Sequence, residues 1–240
     1  MGGLYCVPLV TVLGAAIAAY RWRIRREAQA QRLARASMQA AEEDEPARAD
    51  ALWEDAVEAS RPFPVLWSLY ASAVAYRIAR RDVERGLAVL LDIERRGWLR
   101  DPRFEPSLLA LIAVCRAFLG QSEEAERLRS IAFSAPLVPP FPPPPPVCNA
   151  LVLGLAGRWT EVLSVIPTDP PRAEDDSLFP VLRGLAQERT GVSLESVRAG
   201  LAGAEKLPAA YAPDLLRRWP ELDEFVRRHD FLAPERAKVA

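Results

Sequence analysis

The chain has one histidine, three cysteines and two lysines among 240 residues, and these shortages remove whole classes of chemistry. His229 is the only imidazole, so histidine-based metal sets and nucleophile–histidine pairs have at most one place to form. It sits in the charged run Arg227-Arg228-His229-Asp230, which reads as a solvated surface segment. Cys6, Cys115 and Cys148 are widely spaced, odd in number and lack a CxxC pair, which argues against a disulfide framework or a structural zinc and for a reduced, intracellular chain. Cys115 has Leu111, Ile112 and Phe118 around it and reads as a core residue. An excess of charge of either sign is also lacking: 31 basic groups face 32 acidic ones, so the global pull that neutralises nucleic-acid phosphates is absent and no nucleic-acid partner is expected. Half of the residues are apolar, which excludes a disordered chain. No HExxH, GxSxG, Walker loop or GxGxxG occurs, so no catalytic residue, metal or cofactor is expected. The contiguous pairs Glu123-Glu124 and Asp175-Asp176 diverge on a helix or lie in a loop and need no catalytic role.

What the chain has instead is arginine, alanine, leucine and 22 prolines, a bias usual in GC-rich bacterial genomes. Residues 2–20 carry no charge, and Leu4, Val7, Leu9, Val10, Val12, Leu13 and Ile17 keep the run apolar over about 28 Å of helix, close to the hydrocarbon thickness of a bilayer. Arg21, Arg23, Arg25 and Arg26 follow at once, interleaved with Trp22 and preceded by Tyr20, the arrangement of an interfacial aromatic belt with positive charge on the cytoplasmic side. A cleaved signal peptide would have its charges before the apolar run. The N-terminus lacks the Ser/Thr of a myristoylation signal, and Leu4-Tyr5 before Cys6 fits a lipobox poorly. The expectation is a single N-terminal transmembrane helix over residues 1–20, with the bulk of the chain on the cytoplasmic side of a bacterial inner membrane and the Arg21–Arg26 cluster touching anionic lipid. Residues 21–45 then form a basic juxtamembrane helix that ends in an acidic boundary at Glu42, Glu43, Asp44 and Glu45.

From Pro46 onward apolar residues recur near every 3.6 positions and no alternating β-branched pattern is found, so the fold class is all-α. Helices are expected over Pro46 to Ser60, Pro64 to Arg80, Val83 to Arg96, Pro106 to Leu119, Glu123 to Phe133, Cys148 to Ala156, Trp159 to Val165, Leu178 to Thr190 and Ser193 to Leu207, with a C-terminal helix to follow. Helical hairpins thus occupy residues 46–135 and 148–240, separated by a proline-rich strap at 136–147. Its five consecutive prolines are expected to be extended polyproline II, serving as a spacer or, alternatively, as a PxxP ligand. The arginine pairs Arg80-Arg81, Arg95-Arg96 and Arg217-Arg218 fall near helix ends, where they complement the helix dipole.

The turns align: Gly120, Gly157 and Gly191 each end a helix, with Ala125, Val162 and Val197 a few positions later and Ser122 or Ser193 available as caps. With Trp67, Tyr70 and Ala73 in one first helix, Gly120 and Ala125 at one turn, and Gly157 and Gly191 at two others, the region from Pro46 to Leu207 resembles the tetratricopeptide repeat family, a solenoid of helical hairpins. The spacing of first helices, about 42, 41 and 31 residues, departs from the family's regular period of about 34. The resemblance implies an irregular α-solenoid that binds protein or peptide partners on its inner helices, where Trp67, Tyr70, Tyr76, Arg77 and Arg116 would face the groove. The sequence therefore reads as a membrane-anchored, non-enzymatic scaffold. Two rivals stand beside it: an accessory subunit or enzyme working through paired carboxylates, and a subunit that assembles, with a homo-oligomer among the outcomes, through Gly14, Ala15, Ala18 and Ala19 of the membrane helix.

Overall fold

A computed structural model describes residues 6–43, 45–60, 82–95, 105–135, 144–166, 178–204, 206–208 and 213–233. The chain divides into two compact units, residues 1–74 and 75–240. Among the described residues all long elements are α-helices, as expected, and the one exception to helix is a two-residue parallel pairing of β1 (Leu207–Pro208) with β2 (Leu232–Ala233).

In the first unit α1 (Cys6–Glu42) is a single helix of 37 residues, and α2 (Pro46–Ser60) has the bounds read from the sequence. No glycine or proline interrupts residues 15 to 42, so α1 runs unbroken through the arginine cluster. The two helices meet through small side chains: Ala30, Ala34, Ser37 and Ala40 of α1 and Ala49, Ala56, Ala59 and Ser60 of α2 are all buried, with Trp53 and Val57 filling the space beside them. Buried hydroxyls need acceptors. Ser37 Oγ donates to the Ala49 carbonyl at 2.6 Å, and Ser60 Oγ to the Val57 carbonyl at 2.7 Å. Among the described residues no helix is long and apolar enough to cross a membrane. The described apolar part, from Cys6 to Tyr20, makes about 22 Å of helix, and residues 1–5 lie outside the described residues.

The second unit contains α3 (Val83–Arg95), α4 (Glu105–Phe118), α5 (Ser122–Ser134), α6 (Pro146–Leu155), α7 (Trp159–Val165), α8 (Leu178–Arg189), α9 (Leu194–Leu201), α10 (Pro213–Arg218) and α11 (Pro220–Arg228). The pairs α4/α5, α6/α7 and α8/α9 are hairpins, and their first helices pack in series, α4 on α6 and α6 on α8. The core lies along this row: Leu108, Ile112, Cys115 and Phe118 of α4, Leu151 and Leu153 of α6, and Leu178, Leu182 and Leu185 of α8 are buried. First helices of 14, 10 and 12 residues and second helices of 13, 7 and 8 do not make a clear tetratricopeptide pattern.

The three turns close alike. Gly120, Gly157 and Gly191 take positive φ of 74°, 72° and 87°. The next amide reaches back to the last helical turn, Gln121 to the Arg116 carbonyl, Arg158 to Leu153 and Val192 to Gln187, each at 2.9 Å. Ala125, Val162 and Val197, read as the close-approach residues, are fully buried. Ser193 caps α9 by accepting from the Ser196 amide at 3.3 Å. Ser122, the other expected cap, is instead the first residue of α5, because Gln121 in the α4–α5 turn and Arg158 in the α6–α7 turn share one backbone conformation and bring the second helix in at once.

The end of α11 uses the same closure without glycine: the Phe231 amide donates to the Val226 carbonyl at 2.8 Å, and Asp230 takes φ of 48°. Its partner Lys206 lies at 2.6 Å, but Asp230 is 89% exposed, so the pair contributes little. Asp230→Gly is expected to raise stability by about 0.5 kcal/mol by removing a Cβ from the left-handed region. A urea midpoint that falls on this substitution would show that the ion pair outweighs the backbone.

Two further readings are corrected. Pro146 opens α6 rather than ending an extended strap, since a proline at the first helical position forfeits no intrahelical bond; Pro145 retains the extended φ of −56° and ψ of 124°. Residues 136–143 lie outside the described residues, and α4 and α5 on one side of them pack against α6 on the other. The helix expected to reach Leu207 stops at Leu201, where Ala202 turns to extended backbone and Gly203 takes φ of 88°.

Candidate functional site

In the first unit the Tyr20–Arg26 segment stands out by its exposure. Tyr20 is 66% and Trp22 51% exposed, with Ile17 and Ile24 nearly half exposed beside them. Arg21, Arg23 and Arg25 are exposed and Arg26 is half-buried. The Arg26 guanidinium sits 5.7 Å from the centre of the Trp22 ring, one helical turn back. Among the described residues none of these four arginines has an ion pair, whereas Arg127, Arg129, Arg158, Arg218, Arg227 and Arg228 are all paired. At about 100° per residue the four guanidinium-bearing positions spread over roughly 200° of the circumference of α1, and Ile17, Tyr20 and Ile24 occupy the remaining face.

In the second unit Arg116 is half-buried near the end of α4 and donates to Gln121 Oε1 at 2.5 Å, across the α4–α5 turn. Its Nε is buried without a partner among the described residues. Trp67, Tyr70, Tyr76 and Arg77, the other expected groove residues, lie outside the described residues.

The sequence missed a cleft of about 450 Å³ where α9 and the end of α11 meet, lined by Arg198, Lys206, Arg228, His229, Asp230 and Phe231 among others. His229 is not the solvated residue that its charged neighbours suggest. Its side chain is 1% exposed, its ring lies 4.5 Å from that of Phe225, and Nε2 is 3.2 Å from Glu188 Oε2. The signal was present in the spacing: Leu222, Phe225, Val226 and His229 fall on one helical face. Glu188 also binds Arg228, which reaches Glu224 at 2.7 Å. Burial pushes Glu188 upward, but the His229 hydrogen bond and the Arg228 guanidinium outweigh it and hold the carboxylate below its ordinary value. At the cleft Glu188 is thus matched by Arg228, and Lys206 by Asp230, while His229 Nδ1 is buried without a partner among the described residues. Cys115, with its thiol pushed up to about 12 by burial, is an inert core residue, and no group of three or more metal-ligating side chains occurs among the described residues.

A second ionic group, outside the cleft, ties three helices together. Glu126 of α5 accepts from Arg129 and from Arg158, both at 2.7 Å; Arg129 also donates to Asn149 of α6 at 3.0 Å, and Arg158 pairs with Glu161 of α7. The Arg129 hydrogen bond, seconded by Arg158 against the cost of burial, lowers Glu126 to about 2. A carboxylate lowered on folding adds stability that is complete above its unfolded value near 4.5 and is lost as pH falls toward about 2. Since Glu126 is 40% exposed, solvent screening reduces the effect to about 1 kcal/mol. Glu126→Gln should flatten the fall in stability between pH 4.5 and pH 2 relative to the parent, measured by urea unfolding; parallel curves would remove Glu126 from the acid response. Compared with known protein families, curated proteins and solved structures, the chain matches none.

Proposed function

We propose that the chain is a single-pass, membrane-anchored, non-enzymatic scaffold whose helical hairpins bind protein or peptide partners on the cytoplasmic face. The observation that carries the anchor is α1: one continuous helix in which an uncharged segment with exposed Ile17 gives way to Tyr20, Trp22 and a cluster of arginines that have no ion pair among the described residues. The scaffold role is supported by the serial packing of α4, α6 and α8 with three alike turns, an arrangement that presents extended surface rather than a closed site. It resembles the tetratricopeptide plan in connectivity and departs from it in helix length. The carboxylate-enzyme reading needs an acid with a raised pKa, and every described carboxylate with a resolved shift, Glu124, Glu126, Glu161, Glu188 and Asp214, is lowered instead.

The test compares the full chain with a form lacking residues 2–20. The full chain should remain in the membrane pellet after carbonate extraction and the shortened form should not. Crosslinking and mass spectrometry of both forms should return a shared, reproducible set of partners. Partners recovered with the full chain alone would move the function to the membrane helix, where Ala18 and Ala19 are exposed.

A further inference from the structure

We propose that Arg21, Arg23, Arg25 and Arg26 form a collar that binds the phosphate groups of anionic phospholipid, so that the chain gathers such lipid around its anchor. The proposal rests on the membrane reading above and adds the lipid class and the residues that select it. Three observations carry it. The first is placement. Directly after the uncharged segment, Arg21, Arg25, Arg26 and Arg23 spread over roughly 200° of the helix circumference as a partial collar, and the stripe of Ile17, Tyr20 and Ile24 fills the rest. Headgroups around a helix that crosses the bilayer would thus meet a guanidinium over more than half of its circumference.

The second observation is that these guanidinium groups are unspent. Among the described residues they have no carboxylate partner, whereas Arg48, Arg127, Arg158 and Arg227 each have one. Residues 1–35 hold six arginines against the single acid Glu27, while the whole chain is at −1, so the remainder carries a net acidic charge. That remainder is repelled by an anionic surface, and the collar is the part of the described chain whose charge complements one. The third is the Arg26–Trp22 stack, which holds an indole beside the guanidinium set at the depth where indole rings settle, the headgroup boundary. Arginine's planar fork matches phosphate oxygens two at a time, so each site is a lipid phosphate held by paired N–H donors.

The experiment uses the full chain, transferred from detergent into vesicles of phosphatidylcholine with 30% phosphatidylglycerol or of phosphatidylcholine alone, followed by flotation. Electron spin resonance with trace spin-labelled phosphatidylglycerol or phosphatidylcholine then reads which lipid is immobilised by the protein. One arginine near an anionic surface is worth up to about fivefold in association. Phosphatidylglycerol is therefore expected to be immobilised at least about fivefold in preference to phosphatidylcholine. The preference should shrink at high salt and vanish in the fourfold Arg→Gln variant, and should fall by an intermediate factor in each of R21Q/R25Q and R23Q/R26Q, which guard against a folding failure of the fourfold form. Protein that floats with both vesicles but immobilises the two lipids equally overturns the collar and leaves the anchor intact. Failure to float with either vesicle overturns both. Disulfide crosslinking through Ile24→Cys with no lipid preference assigns this face to a second copy of the chain and overturns the collar as well.

Discussion

Asp214→Ala is expected to lower the stability of the second unit by about 3 kcal/mol, the largest loss of any single charged-residue substitution in the described chain. Asp214 is in the first turn of α10 and only 6% exposed, yet its work is done 131 positions away. Its Oδ2 accepts from the Val83 amide at 3.0 Å and from Arg218 Nε at 3.0 Å, and its Oδ1 binds Arg217. Arg218 goes on to Glu84 at 2.9 Å. Val83 is the first residue of α3 and fully buried, so its amide has no helical acceptor and no water. Asp82 caps the same helix locally by accepting from the Arg85 amide at 3.0 Å, which leaves the Val83 amide for the remote carboxylate. Removing Asp214 strands the buried Val83 donor; Arg217 turns into solvent at little cost, and Arg218, 21% exposed, is left with Glu84 alone.

Two comparisons isolate that mechanism. Asp82→Ala removes an exposed cap and should cost about 1 kcal/mol. Asp214→Asn keeps an acceptor for Val83 but loses the charge and should fall between the two. Burial raises the Asp214 carboxyl, but the Val83 amide and the two arginines more than reverse this, so its contribution is present above the ordinary carboxylate range and fades as pH drops below it. Urea unfolding followed by tryptophan emission reads all three variants. If Asp214→Ala costs no more than Asp82→Ala, the long-range cap is not what holds α10 to α3.

The contrast between Asp82 and Asp214 marks the limit of what the residues disclose in order. Local rules carried far: apolar periodicity located α2 and α7 to the residue, and glycines at 120, 157 and 191 located three turns that close with the same hydrogen bond. The Tyr20–Arg26 cluster was visible because its members are adjacent. Asp214 was not, since an aspartate after a proline reads as an ordinary first-turn acid of its own helix and nothing nearby refers to Val83. Arg217 and Arg218 likewise read as dipole-complementing residues, which they are, while their shared carboxylate emerges only from packing. His229 went astray for another reason: its neighbours in the chain are charged, but its neighbours on the helix are Leu222, Phe225 and Val226, and the second set decides burial.

Gly154→Ala and Gly184→Ala are expected to destabilise by about 1–2 kcal/mol each, although alanine is favoured over glycine in a helix by about 1 kcal/mol. Both glycines are buried inside first helices, α6 and α8, with helical backbone, so conformation gives no reason for glycine there. Space does. A Cβ on Gly154 would stand 2.7 Å from Trp219 Cη2 and 3.4 Å from Trp159 Cζ3, and one on Gly184 would stand 2.8 Å from Phe225 Cζ. These rings do not yield easily. Trp219 is stacked on Trp159 at 6.2 Å and meets Phe118 edge-on at 6.1 Å, while Phe225 is 1% exposed with the His229 ring against it. A methyl at either position forces an aromatic ring out of a packed core, which outweighs the gain in propensity. Gly200 of α9 supplies the opposite case, since the nearest atom to its Cβ is Gln187 Oε1 at 3.9 Å; Gly200→Ala should therefore stabilise by about 0.5 kcal/mol. The pair Gly184→Ala with Phe225→Leu should lose less than the sum of the two single changes, because the shorter side chain vacates the atom that the new methyl meets. Additive losses would mean that Gly184 is required for something other than its approach to Phe225. Three glycine-to-alanine changes in three helices of one unit thus carry opposite signs, and the sign is set by whether a segment remote in the chain, Trp219 for Gly154 and α11 for Gly184, places a ring over the missing side chain.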